Sequence, residues 1–364
     1  MAQVPLVRVA ALRPVVRLLG RIGAPIERLL VGVGLSPEVI RHGERAVPLV
    51  QGVRFLNESA RTQGIHDLGF RAGRELPLTA LGLFGSVLVQ SRTLAEGIDW
   101  LLYAGTSFNV AGRWRLDRRG GVTWLRQKVT APRDAQSAQA DHYSLSLALQ
   151  FLQLAAGPTW RPAVVQLQTA RAPALADHPL LAGARIEFER AETSIAFPTA
   201  LLTQPLRSSG RTEVAGGDMS RWLSSSPPSG FVESVSEVMW ALAPRCGHPR
   251  IHTTAEAFGM SSRTLQRRLA QQGYSFEQLL RSARLDLAAA QLRQTDARIL
   301  DIALDLGYSD HAHFTRAFRR WTGLSPLQYR RMHREEPDAS SDEAPPMPLP
   351  DQLPRPQIPW ARSA

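Results

Sequence analysis

"AEAFGMSSRTLQRRLAQQGYSFEQLL" occupies residues 255–280, and "ALDLGYSDHAHFTRAFRRWTGLSPLQYR" occupies residues 303–330. The second stretch repeats the first. Ala255 matches Ala303, Gly259 matches Gly307 and Ser261 matches Ser309 at one common offset. A one-residue insertion then brings Leu265 onto Phe314, Arg267 onto Arg316 and Leu269 onto Phe318. After a further insertion, Gly273-x-Ser275-x-x-Gln278 falls on Gly323-x-Ser325-x-x-Gln328.

Each copy reads as a short helix, a glycine turn and a second helix. In the second copy Phe314, Phe318 and Trp321 recur at helical period and form one apolar stripe. Arg316, Arg319 and Arg320 fall on other faces, with Thr315 between them. Ser309 reads as the N-cap, and Asp310 suits the positive end of the helix dipole. Gly323 and Pro326 mark the stop. Between the copies, "SFEQLLRSARLDLAAAQLRQT" (275–295) is a long helix capped by Ser275. A turn glycine permitting a sharp crossing, followed by a helix with an exposed arginine, is the helix-turn-helix pattern, whose second helix enters the major groove. Candidate DNA contacts are Ser262, Arg263, Gln266 and Arg267 in the first copy, and His311, Ala312, Thr315, Arg316 and Arg320 in the second. The matched pair Arg267 and Arg316 is expected to read bases; Arg268, Arg319 and Arg320 are expected to position the duplex or face solvent.

Two such units joined by a long helix resemble the DNA-binding domain of the AraC/XylS family of transcription regulators, over roughly 231–331. The carriers include Gly259-Met260-Ser261, Leu265-Gln266-Arg267-Arg268-Leu269, Arg284, Ala288, Leu292, Ile302-Ala303, Gly307-Tyr308, Ser325-Pro326 and Tyr329-Arg330. The N-terminal region resembles the arabinose-binding-type sensor domain of one branch of that family. There the carriers are "LGLFGSVLVQSRTLAEGIDWLLYA" (81–104), a hairpin at 107–129 and "FPTALLTQPL" (197–206). The resemblance implies a sequence-specific regulator, more often an activator, that binds double-stranded DNA, meets RNA polymerase and answers to a small-molecule effector. It also implies a sensor domain that helps the chain form a homodimer. A non-specific nucleic-acid-binding or nucleoid-type protein is the alternative; a sequence-specificity ratio separates the two.

The expected fold is an α+β sensor domain followed by an all-α DNA-binding domain. Residues 1–202 form the first domain, 203–230 a Ser/Gly/Pro-rich linker, 231–334 the double helix-turn-helix domain, and 335–364 a disordered tail. That tail holds eight prolines, and six acids against two arginines. Within the first domain, apolar spacing predicts helices in 11–35, 51–64, 91–105 and 138–156. Strands are expected at 163–170, 185–189 and 193–197. The hairpin carries Trp114 and Trp124 on either side of its glycine turn. Both tryptophans are candidate effector contacts, in a pocket taking an uncharged or anionic molecule.

The chain of 364 residues has a formal net charge of +11, in keeping with a polyanionic partner. Lys128 is the one lysine, and the basic excess is spread over both halves, so the charge is supporting evidence only. The single Cys246 admits no internal disulfide and suits a reducing cytoplasm. No run reaches the length of a membrane span, and arginines interrupt the apolar N-terminus before a signal segment could form. A soluble cytoplasmic protein with no membrane association is expected. "DHY" (141–143) and "DHAH" (310–313) pair acids with histidines without metal-ligand spacing, so no metal, cofactor or catalytic role is expected. His142 reads as a core histidine with its hydrogen bonds satisfied.

Overall fold

The structure is a computed structural model that describes residues 5–129, 138–176, 178–207, 216–224, 230–242 and 249–334. Cys246 and the tail 335–364 lie outside the described residues. The chain divides into two compact units: Met1–Val33 with Pro37–Ser229, and Gly34–Ser36 with Gly230–Ala364.

The first unit is α+β. A short antiparallel pair, β1 (Leu6–Arg8) and β2 (Ala46–Pro48), opens it. Helices α1 (Arg13–Arg21) and α2 (Ile26–Gly32) lie either side of Gly23 and Pro25, where the sequence breaks the helical pattern. Then come α3 (Leu49–Gln63), α4 (Leu68–Glu75), α5 (Leu83–Gln90) and α6 (Leu94–Phe108). The hairpin forms as expected, with β3 (Gly112–Arg119) antiparallel to β4 (Val122–Val129). It is one edge of a five-stranded sheet that includes β5 (Val164–Gln166), β6 (Arg185–Glu187) and β7 (Thr193–Pro198) in the order β3-β4-β7-β5-β6. Only β5 and β6 run parallel in this sheet. Helix α7 (Ala138–Ala156) supplies much of the core, including Leu145, Leu149 and Leu152. It crosses α4 closely, because Gly69 and Gly73 present bare backbone there and Ser146 donates to the Phe70 carbonyl at 2.7 Å. Helices α4 and α5 were not read from the sequence: α4 is short, and α5 lies in a nearly continuous apolar run that has no clear period.

The stretch 203–230 is not featureless linker. After a short helix α8 (Pro173–Ala176) in the sheet connections, α9 (Gly216–Ser224) forms inside it. Trp222 anchors α9 to the first unit, at 3% exposure. Composition hid this anchor, because a single aromatic in a Ser/Gly/Pro-rich segment has no periodic partner.

The second unit is all helical: α10 (Phe231–Leu242), α11 (Ile251–Ala257), α12 (Ser262–Gln271), α13 (Phe276–Gln294), α14 (Ile299–Asp305), α15 (His311–Thr322) and α16 (Pro326–Arg334). Val232, Val235 and Met239 of α10, Leu265 and Leu269 of α12, and Leu279, Leu280 and Ala283 of α13 close one core. The second helix-turn-helix builds its own around Ile302, Phe314, Phe318 and Tyr329, with the Phe318 and Tyr329 rings edge to face at 5.4 Å. The long helix α13 starts at Ser275 in a complete capping box, in which the Gln278 side chain returns a bond to the cap.

Candidate nucleic-acid interface and sensor cavity

The two helix-turn-helix units repeat each other in detail. Gly259 (φ 61°) and Gly307 (φ 76°) take the left-handed conformation that turns α11 into α12 and α14 into α15. Ser261 caps α12 by accepting from the Thr264 amide at 3.2 Å. In the second copy the cap is Asp310, which accepts from the His313 amide at 2.6 Å; Ser309, read as the cap from the repeat, donates to the Asp310 carboxylate at 3.1 Å. The inserted residue moves the helix start by one, and a carboxylate makes the stronger charge-assisted cap. Those bonds, led by the one from His313, hold the Asp310 carboxyl below its ordinary value.

Burial then orients each helix. Leu265 and Leu269 are buried in α12, Phe314 and Phe318 in α15. Arg267 lies midway between its pair and Arg316 midway between its own; at about 100° per residue each points directly away from the core. Arg263 and Gln266 are exposed beside Arg267, while His311, Ala312, Arg319 and Arg320 are exposed on α15 around Arg316. Arg263, Arg267, Arg316, Arg319 and Arg320 form no ion pair with any described residue. Their guanidinium groups are available to an outside anion.

Two candidates differ from the sequence reading. Thr315 is half-buried, and its hydroxyl is enclosed with no hydrogen-bond partner among the described residues, because it sits beside the Phe314–Phe318 stripe. Arg268 is half-buried with its guanidinium 5.7 Å from the centre of the Phe231 ring, so it packs on α10 rather than facing outward. Ser262 is half-buried at the first turn, and Trp321 is only half-buried at the end of its stripe.

The first unit holds a partly open cavity of about 130 Å³. Its walls come from α3 (Gly52, Leu56), α5 (Phe84, Leu88), α6 (Leu101, Phe108), the hairpin and α7 (Ala148, Phe151). Trp114 lines it; Trp124 does not. Trp114 pairs with Gln127 across the hairpin and shares the inner face with Leu116 and Leu125. Trp124, an odd number of positions from Gln127, projects from the opposite face, where the Arg126 guanidinium lies 4.8 Å from its ring centre. The two tryptophans cannot share one ligand site.

Polar groups reach the cavity from Asn109, Gln127, Tyr143 and Ser144, all missed in the sequence. The available signal was Gln127, a polar residue at an inward position of a strand whose other inward residues include Leu125. Tyr143 donates to the Ala11 carbonyl at 2.7 Å, and burial pushes its phenol pKa up. His142, next to it on α7, is 2% exposed with neither ring nitrogen hydrogen-bonded among the described residues. It is a core histidine, as expected, but not a satisfied one; burial lowers its pKa from 6.5 to about 4.

Among the described residues there is no group of three or more His, Cys, Asp or Glu side chains that could hold a metal ion. No described helix is long and apolar enough to cross a membrane.

Comparison with known proteins agrees with this architecture. Residues 254–332 match a helix-turn-helix domain family, and residues 23–206 match the family described as the arabinose-binding domain of AraC transcription regulator, N-terminal. The HTH-type transcriptional regulator VirS of Mycobacterium tuberculosis is 29% identical over 307 residues, covering 81% of this chain and 87% of that protein. The ornithine utilization regulator of Pseudomonas aeruginosa is 24% identical over 328 residues, covering 89% and 96%. Over 77 residues, 21% of this chain and 28% of the other, the HTH-type transcriptional activator RhaS of Escherichia coli is 43% identical. The chain belongs to the AraC family of transcription regulators: it is a DNA-binding regulator that carries an arabinose-binding-type sensor domain ahead of two helix-turn-helix units.

Proposed function

We propose that the chain is a cytoplasmic, homodimeric activator that reads a specific DNA site with Arg267 and Arg316 and responds to a small molecule held in the cavity of its first unit. The observation that carries the reading is the matched placement of those two arginines, each facing directly away from a buried pair and free of internal ion pairs. Such an arginine gives bidentate contacts to guanine, whereas Arg263, Arg319 and Arg320 at the flanks suit phosphates. Two recognition helices presented to successive major-groove segments lie about 34 Å apart, so one chain covers close to two turns of DNA without a palindrome. Activation, through contact with RNA polymerase, is supported by the name of the Escherichia coli relative, which is called an activator.

Residues 231–334 are expected to bind DNA without the rest of the chain, because the apolar clusters around Leu265 and around Phe314 draw on residues within them. A randomised-site binding selection on the full chain and on this fragment tests the reading. A selected motif common to both supports it. Equal affinity for all sequences makes the protein a non-specific nucleic-acid binder instead, and an unfolded fragment refutes the independence of the reader.

A further inference from the structure

The cavity has a chemistry of its own. None of its lining side chains carries a formal charge, and most are aliphatic or aromatic. The basic excess of the chain does not reach it: Arg126, on the strand that supplies Gln127, projects from the other face and pairs with Asp117 at 3.5 Å. A carboxylate or ammonium group placed inside would be buried without a counter-charge, at a cost of several kcal/mol. A sugar fares little better. Each hydroxyl left unpaired costs about 1–3 kcal/mol. Of the polar wall groups, Tyr143 already donates to the Ala11 carbonyl and Asn109 already accepts from the Ala111 amide, while the walls around Gln127, Ser144 and Trp114 are aliphatic or aromatic.

One wall group nevertheless asks for a partner. Gln127 is 4% exposed, lines the cavity, and its side-chain amide makes no hydrogen bond to any described residue. The neighbouring Trp114 indole N–H likewise has no partner among the described residues. An amide buried to this extent is ordinarily hydrogen-bonded. The cavity volume, about 130 Å³, is comparable with an apolar protein cavity of roughly 150 Å³ that accommodates benzene.

We propose that this cavity takes an uncharged, largely apolar molecule about the size of one or two small rings, bearing a single polar group that hydrogen-bonds the Gln127 amide, and that its ligand is not a sugar. The inference rests on the reading of the first unit as the effector sensor. It names the ligand class of that site.

The test titrates the full chain with phenol, indole, toluene, L-arabinose and benzoate by calorimetry, with circular dichroism to confirm folding of every variant. Phenol and indole are expected to bind saturably at one site. Gln127→Leu should weaken phenol about tenfold and leave toluene unchanged, since toluene has no group for the amide. Ala148→Leu should abolish binding by filling the cavity. Gly52→Ala is a milder second filler, whose added Cβ would meet only ordinary contacts at 3.7 Å, and it should weaken indole more than phenol. If L-arabinose or benzoate binds most tightly and the fillers abolish it, the ligand class is wrong while the sensor reading stands. If none of the five binds, the class is also overturned. If binding survives both fillers, the cavity is not the ligand site and the proposal is overturned, while the family assignment of the first unit stands.

Discussion

The guanidinium of Arg8 lies 4.2 Å from the centre of the Trp222 ring and donates to the Trp222 carbonyl at 3.0 Å. Arg8 is completely buried, and its other bonds go to the Ser107 carbonyl at 2.9 Å, the Glu44 carbonyl at 2.6 Å and the Glu44 carboxylate at 3.2 Å. The Trp222 indole closes the triangle by donating to that carboxylate at 2.6 Å. Phe84, one wall of the cavity, stacks on Trp222 with ring centres 6.0 Å apart. The segment that leads to the DNA reader is therefore fastened beside the sensor cavity by an ion pair whose Arg8 end is buried and whose Glu44 end reaches solvent.

Removing either end of this fastening should be costly. Trp222→Ala is expected to destabilise the first unit by about 3–5 kcal/mol, and Arg8→Met by less, because Glu44, left without its counter-charge, still reaches solvent. Trp222→Phe keeps the ring, loses one charge-assisted bond, and should cost about 1.5–3 kcal/mol. Chemical denaturation of the full chain measures all three. Near-wild-type stability for Trp222→Ala would show that α9 is not anchored.

The DNA prediction separates four arginines into three roles. Arg267→Ala and Arg316→Ala should each lose roughly 1–3 kcal/mol of affinity for the selected site and relax preference at one position. Arg268→Ala, with its guanidinium on Phe231, should leave the motif unchanged and cost about 0.5–1 kcal/mol of stability. Arg320→Ala should weaken every sequence alike and lower the salt slope by about 1. An unchanged motif in the Arg267 and Arg316 variants would remove their base-reading role.

His142 makes stability depend on pH. Folded, it titrates at about 4 because burial penalises the imidazolium; unfolded, it returns to 6.5. Between these values the unfolded chain binds more protons, so the contribution is complete above pH 6.5 and is lost as pH falls towards 4. The full loss amounts to about 3 kcal/mol. Denaturation midpoints at pH 7 and pH 4.5 should diverge in the wild type and converge in His142→Leu.

The cap of α15 distinguishes two neighbouring residues. Asp310→Ala should lower the melting temperature, because the His313 amide loses its acceptor. Ser309→Ala, which removes only a bond to Asp310, should lower it less. Thermal melts of the two variants decide it, and the reverse order would restore Ser309 as the cap.

The close crossing of α4 and α7 leaves no room at Gly73. A Cβ there would stand 2.7 Å from Ser146 Cβ, so Gly73→Val should destabilise by about 1–3 kcal/mol or more. A melt indistinguishable from wild type would mean that the helices can part.

The sequence by itself determined the DNA reader. Its evidence is local: a glycine turn, a cap and an apolar pair four residues apart recur within some fifty residues, and a helix of known period then dictates where Arg267 and Arg316 point. The hairpin was legible for the same reason, since alternation and a glycine turn are short-range signals. Tertiary structure decided the rest of the site. Whether Trp114 and Trp124 share a pocket depended on strand register, which sends them to opposite faces. Whether Arg268 and Thr315 face outward depended on where α10 and the aromatic stripe of α15 sit. The cavity and the Arg8–Glu44–Trp222 fastening join residues far apart in the chain, and contacts of that kind leave no period or spacing to read.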